Sequence, residues 1–307
     1  MNLDFKILWF DDQLPSARRR WIEEYLKEQY ELKLIVQQQK GNEDISDFNF
    51  EEFDLILMDY GLIGNENGVQ KYKEIRGKYA VTDVAFYSTT MQECRERLRI
   101  LEDEGVDIEG VYYLDITSDT LFEEKIEKII DKIVKRSESI SNLRGLILSE
   151  TAKYDRRIFD LASQLVIKYG LRKELEEYLS NDIHSDLLTT FTRNENLYAG
   201  SKCKVGYYMN AQTSMPRLDA NHQVRVLNRI LKILRAKGIK VDSRLDNFYQ
   251  KYLEDIIYYR NAFAHKEEAG NTIKIKDKVF EINEEFHKEI RKKLVFYSEV
   301  IDVIEKL

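Results

Sequence analysis

Cysteine and proline are nearly absent from this chain of 307 residues, with two of each, and glycine occurs only 13 times. Cys94 and Cys203 stand far apart without metal-ligand spacing, which leaves neither a disulfide framework nor a zinc site to expect. A reducing compartment fits, and the expected location is cytoplasmic. With so few turn and breaker residues, the chain is expected to be ordered and rich in helix rather than disordered. Long apolar runs are missing too, since no stretch approaches the roughly 20 residues of a membrane span. The opening "MNLDFKILWFDDQ" sets a carboxylate before its apolar run and two straight after it, the wrong order for a signal peptide. Neither export nor insertion is expected, and no membrane is counted among its partners.

Hydrophobic residues make up 43% of the chain and charged residues 34%, enough for two domains that each bury a core. The net charge of −7 conceals an asymmetry: residues 1–139 hold 19 basic against 31 acidic side chains, and residues 140–307 hold 29 against 24. An acidic half is joined to a mildly basic one.

The first half alternates short apolar runs with amphipathic stretches. Strands are expected at 5–10, 32–37, 53–59, 84–88 and 110–115, and helices at 16–29, 67–78, 91–104 and 119–137. Continuous apolar strands alternating with helices predict a parallel sheet covered on both faces, an α/β domain over 1–137. Residues 138–142 are expected to form a hinge. The remainder, 143–307, reads as an all-α helical bundle, with helices near 143–169, 171–190, 219–237, 246–266 and 284–306. Within it, 192–217 is the expected long loop, "TIKIKDKVFEIN" a small hairpin, and Asn283 the cap of the last helix.

In a doubly wound sheet, ligands bind outside the carboxyl ends of the strands. Asp11 and Asp12 end the first strand, Asp59 the third, Ser88 the fourth and Asp115 the fifth. Any one such Asp can simply cap its turn. Several converging carboxylates call instead for a cation, and hard oxygen ligands suit Mg²⁺.

"ILWFDDQ", "DLILMDYGLIGNENG" and "VAFYST" resemble, in order, the motifs of the receiver domain of bacterial response regulators, over about residues 4–137. The resemblance implies a flavodoxin-like doubly wound sheet, Asp59 as phosphoacceptor, Asp11, Asp12 and Asp59 as Mg²⁺ ligands, Ser88 as switch hydroxyl, and a histidine kinase or other signalling partner. Two departures stand out. Asp115 and Ile116 replace the family's lysine and proline after the fifth strand, setting a carboxylate where a cation would meet a phosphoryl group. Ile63 stands where the phosphoacceptor loop usually has proline, and one residue is inserted before Gly68.

In the second half, Tyr252, Ile256, Tyr259 and Phe263 form an apolar stripe on the helix that carries "RNAFAH", Arg260 to His265. At roughly 100° per residue, Arg260 and His265 lie about 140° apart, so they meet at one ligand only where the helix loosens or a partner completes the site. The plain alternative pairs Arg260 with a neighbouring acid such as Glu254 and sets His265 at the helix C-terminus, where a cation is favoured.

"RNAFAH" resembles the Arg-x(4 to 6)-His signature of HEPN domains, helical modules many of which are metal-independent ribonucleases. The resemblance implies Arg260, Asn261 and His265 as catalytic residues, RNA as substrate, no cofactor for RNA cleavage, and a homodimer that pairs two motifs. The chemistry agrees: histidine can move the protons of a 2'-hydroxyl attack, and guanidinium can stabilise phosphoryl charge. His184, His222 and His287 read as isolated, structural or solvated residues. No acid falls between Asp219 and Asp242, and Arg225, Arg229 and Lys232 lie opposite the apolar face of that helix, as either a solvated surface or an RNA-backbone track. Two functions compete: a signal-gated endoribonuclease of stress response or phage defence, and a non-enzymatic adaptor serving dimerisation or partner binding. A DNA-binding regulator fits less well, because no helix-turn-helix is evident.

Overall fold

A computed structural model of the chain describes residues 3–41, 43–46, 48–62, 68–78, 80–186, 218–265 and 270–307. The chain divides into two compact units, residues 1–139 and 140–307.

The first unit is a five-stranded sheet flanked by helices. Its strands are β1 (Asp4–Phe10), β2 (Lys33–Gln39), β3 (Leu55–Asp59), β4 (Val84–Ser88) and β5 (Val111–Asp115). They pair in the order β2-β1-β3-β4-β5, every pair parallel. That is the flavodoxin-like order, with its switch point between β1 and β3. Alternation within each strand divides the core into two layers. Ile7, Trp9, Leu57 and Tyr87 pack with Ile22 and Leu26 of α1 (Ser16–Tyr30) and with Phe122, Ile126 and Ile130 of α4 (Asp119–Ser137). Leu8, Phe10, Met58 and Phe86 pack on the other face with Tyr72 and Ile75 of α2 (Gly68–Gly77) and with Cys94 and Leu98 of α3 (Met91–Asp103). Each wholly buried Leu, Ile or Phe contributes about 1.5–3 kcal/mol, so both faces are strongly specified.

The strands and helices expected from the sequence agree with these to within two residues at each end. Between β2 and β3, a 3₁₀ turn at Phe50–Glu52 stands where a doubly wound fold usually has a helix. Ile45 and Phe50 fill the second layer there, and the Thr82 hydroxyl donates to the Phe50 carbonyl at 2.8 Å.

The described residues of the second unit are helical apart from one hairpin, short turns and connections. The helices among the described residues are α5 (Ile140–Tyr169), α6 (Arg172–Tyr178), α7 (Ala220–Ala236), α8 (Phe248–Tyr252), α9 (Tyr258–Ala264) and α10 (Glu284–Glu305). The long α5 packs against α7, α9 and α10. The Tyr154 hydroxyl donates to the Leu294 carbonyl at 2.7 Å, and Arg157 reaches Asp302 and Glu305, so α5 and α10 are tied by polar contacts as well. The expected hairpin is β6 (Thr272–Ile275) with β7 (Lys278–Glu281), and Asn283 caps α10 by accepting from the Phe286 N–H at 3.0 Å.

Three expectations change. The hinge of 138–142 shrinks to Glu138 and Ser139, because Ile140 already opens α5: no glycine or proline stops it, and Leu143 one turn on is wholly buried. Residues 246–266 do not form one regular helix; a π turn at Leu253–Ile257 links α8 to α9, and the register it sets buries Tyr252, Ile256, Ile257, Tyr259 and Phe263 together. The helix expected over 171–190 also passes into a π turn, at Leu179–Ile183. Its end beyond residue 186, the expected loop at 192–217, and the Ile63 region with the insertion before Gly68 lie outside the described residues.

Candidate functional site

At the carboxyl edge of the sheet, β1, β3 and β4 deliver Asp11, Asp12, Asp59 and Ser88, with Ser88 in register with Asp115 of β5. Asp59 is half-buried, and burial pushes its carboxyl above the usual range, reinforced by the charges of Asp11 and Asp12. The Gly61 N–H, 2.9 Å from its Oδ1, and the Arg18 guanidinium pull the other way. The three carboxylates therefore do come within each other's field.

Each is nonetheless occupied locally. Asp11 is buried, its Oδ1 accepting from the Gln13 N–H at 2.7 Å and its Oδ2 from the Tyr87 hydroxyl, which in turn accepts from Trp9 Nε1 at 2.8 Å. Asp12 accepts a long 3.5 Å hydrogen bond from the Gly41 N–H. Ser88 Oγ accepts from the Thr90 N–H at 2.9 Å. Asp115 accepts from the Thr117 N–H at 2.9 Å, a bond that holds its carboxyl below the usual range, so it caps its own turn.

Among the described residues, no three His, Cys, Asp or Glu side chains are placed to hold a metal ion. Asp11, Asp12 and Asp59 each have their own local donor in this arrangement. Mutually repelling carboxylates have each turned to the nearest N–H or O–H donor. A Mg²⁺ ion at Asp11 would have to displace the Tyr87 hydroxyl or the Gln13 N–H.

In the helical unit, Arg260 of α9 is held from α5: its Nη1 lies 2.7 Å from Asp155 Oδ2, with side chains 33% and 20% exposed. This replaces the Glu254 pairing considered from the sequence, since Glu254 takes the Gln250 amide instead. Burial raises the Asp155 carboxyl to about 6; Arg260 opposes that rise and the nearby Asp219 adds to it. The Tyr252 ring is wholly buried, its hydroxyl has no hydrogen-bond partner among the described residues, and it lies in the field of both Asp155 and Arg260. Asn261 and His265 are exposed. His265 ends α9 with φ −107°, so the helix does leave its regular course there, and Arg144 Nη2 caps the same end by donating to the Ala264 carbonyl at 3.0 Å.

His222 is not isolated, contrary to its reading from the sequence. Asp219 caps α7, accepting from the His222 N–H at 2.9 Å while the His222 ring Nδ1 lies 2.8 Å from the same oxygen. The signal present in the sequence was Asp-x-x-His at the start of an amphipathic helix. His287 is buried, and burial pushes its ring down to about 4, which fits a structural residue.

The basic stretch of α7 lacks acids in sequence but not in space. Arg225 pairs with Asp186, Arg235 with Asp246 at 2.7 Å, and Lys237 with Glu174 at 2.6 Å. Arg229 lies over the Tyr178 ring at 5.5 Å, and both Arg229 and Lys232 are exposed.

No helix among the described residues is long and apolar enough to cross a membrane. No protein-family model matches the chain, and no curated protein matches it. Several solved structures overlap it, among them the three that follow. A fusion carrying a trimeric coiled-coil segment of yeast Spc42 is 23% identical, covering 44% of this chain and 80% of its own, with a TM-score of 0.31. The response regulator ChrA of a heme-sensing two-component system is 11% identical, covering 77% and 99%, with a TM-score of 0.24. A two-domain protein with DJ-1/ThiJ/PfpI-like and ferritin-like domains from Anabaena variabilis is 15% identical, covering 85% and 94%, with a TM-score of 0.23. Overlaps this loose carry no inference; the parallel sheet and the helical unit rest on the chain's own geometry.

Proposed function

We propose that the chain is a signal-gated, metal-independent endoribonuclease, in which a receiver-like first unit regulates a HEPN-like second unit that cuts RNA. The observation that carries this reading is Arg260. It projects from the "RNAFAH" helix into a partly buried polar cluster with Asp155, while Asn261 and His265 sit at the exposed end of the same helix. A guanidinium shared with a carboxylate in such a setting can exchange its partner for a phosphodiester, and histidine supplies acid/base chemistry. Two copies pairing their "RNAFAH" ends would bring a second motif to each site, so a homodimer belongs to the proposal. Of Arg225, Arg229 and Lys232, the last two are exposed and would meet an RNA backbone.

In the first unit, Asp59 is the proposed phosphoacceptor and Ser88 the switch hydroxyl, and a histidine kinase would be the donor. A second reading is favoured by the engagement of Asp11 with Tyr87 and Gln13 and by Asp115 capping its own turn. On that reading the first unit is a docking module and the chain an adaptor. Incubating the purified protein with total RNA in EDTA tests the two: cleavage supports the nuclease, and intact RNA with an assembled dimer supports the adaptor.

A further inference from the structure

A cavity of about 410 Å³ lies in the helical unit between the β6–β7 hairpin and the π turn that leads into α9. One wall is Glu254, Asp255, Tyr258 and Tyr259, from the π turn and the first turn of α9. The hairpin register builds the other. Ile275 stands opposite Lys278 and Ile273 opposite Phe280, and cross-strand partners share a face, so Lys278 is on the same face as the buried isoleucines. Lys276 reaches the cavity from the hairpin tip and Lys293 from α10.

The three lysines are not equivalent. Lys293 Nζ lies 2.6 Å from Asp255 Oδ1 and 3.3 Å from Glu289, and the Tyr297 hydroxyl donates to the other Asp255 oxygen at 3.0 Å. Asp255 is thereby satisfied from within the unit, and Glu254 takes the Gln250 amide. Among the described residues, Lys276 and Lys278 pair with no carboxylate. Instead the Lys276 ammonium rests 4.0 Å over the ring of the half-buried Tyr258. The remaining acid, Asp277, stands between these two lysines at the exposed tip.

An aromatic face with unpaired cations beside it is the combination that holds a nucleic-acid single strand: a base stacks on the ring, and the ammonium groups meet the backbone. The volume falls within the range of small-ligand sites, about 300–1,000 Å³. The cavity also lies on a useful line of α9. At roughly 100° and 1.5 Å per residue, His265 falls within about 20° of the Tyr258 face and about 10 Å further along the axis, with Asn261 about 60° from that line.

Resting on the nuclease reading, we propose that this cavity is a subsite for one nucleotide of single-stranded RNA. The base stacks on Tyr258, Lys276 leaves that face for a backbone phosphate, Lys278 meets the same backbone, and the strand runs on along α9 toward His265. Recognition through a ring face makes the subsite tolerant of base identity.

The test measures binding to the full chain of a short, labelled 2'-O-methyl oligonucleotide, which lacks the attacking hydroxyl and so reports binding without cleavage. Tyr258→Ala is expected to weaken binding by about 5- to 100-fold, while Tyr258→Phe, which keeps the ring, stays near wild type. Lys276→Met and Lys278→Met are each expected to weaken it and to lower the slope of log affinity against log salt by about one. Cleavage of total RNA in EDTA is followed in parallel. Binding unchanged in Tyr258→Ala and Lys278→Met overturns the inference, and cleavage by the wild-type chain then leaves the nuclease reading standing. Binding that depends on Tyr258 in a chain that cleaves nothing keeps the subsite and removes the nuclease. A wild-type chain that binds no oligonucleotide, or that binds an arginine-rich peptide through Glu254 in its place, overturns the inference as well.

Discussion

Removing the Arg260 guanidinium tests the central electrostatic arrangement without presuming any activity. In the folded chain the Asp155 carboxyl stands near 6 against an ordinary 3.8, so its ionised form costs about 3 kcal/mol relative to water even with Arg260 beside it. The fold therefore holds the proton more tightly than the unfolded chain does. Its contribution to stability is full below the ordinary carboxylate range and is lost as pH rises through about 6. Arg260→Ala removes the attraction that opposes burial, so the carboxyl rises further and the folded variant binds still more protons.

The penalty of the substitution must then grow with pH above about 6. Exposed ion pairs contribute about 0.2–1 kcal/mol, while breaking a buried one costs about 3–5. With side chains 33% and 20% exposed, the loss at about pH 8 should be about 1–3 kcal/mol, shrinking below about 1 near pH 5. Urea unfolding followed by far-UV circular dichroism reads it. Trp9 and Trp21 are the only tryptophans and both lie in the first unit, so their fluorescence follows that unit separately. In an Asp155→Asn background the Arg260→Ala penalty should lose its pH dependence. A penalty of the same size at every pH, with or without Asp155, would refute the coupling described here.

Four further outcomes are expected. In EDTA, His265→Ala should lose on the order of 10²- to 10⁴-fold in RNA cleavage without loss of folding, and Arg260→Lys should recover little because an ammonium lacks the bidentate fork; gel assays with end-group analysis check both. Tyr87→Phe should destabilise the first unit by about 1–3 kcal/mol, because it leaves Trp9 Nε1 and Asp11 Oδ2 without their partner, yet strengthen Mg²⁺ binding measured by calorimetry because it frees that oxygen. Asp59→Asn should abolish labelling by a small phosphodonor, whereas Asp115→Lys should retain it; labelling that persists in Asp59→Asn removes Asp59 from the role. Gly68→Ala should cost about 1–3 kcal/mol in the melting of the first unit, because the new Cβ would lie 2.4 Å from the Asp59 carbonyl oxygen.

The chain's local chemistry wrote most of its elements plainly. Runs such as "FDLILMD" and "VAFYS" are apolar on both faces, and only a central strand of a covered sheet uses both, so strands, parallel pairing and the two-layer core were legible. The stripe of Tyr252, Ile256, Tyr259 and Phe263 and the Asn283 cap were legible for the same reason, since each depends on neighbours a few residues apart. Position along the chain also placed Asp11, Asp12, Asp59 and Ser88 at one edge of the sheet.

What lay beyond the sequence depends on separations it does not encode. Arg260 meets Asp155 across 105 residues, Asp11 meets Tyr87 across 76, and the acids that neutralise α7 arrive from other segments of the chain. A side chain's partner is the nearest group of suitable charge or hydrogen-bonding type in space. Tertiary packing alone set those distances, giving Arg260 a half-buried carboxylate and giving Asp11 a hydroxyl.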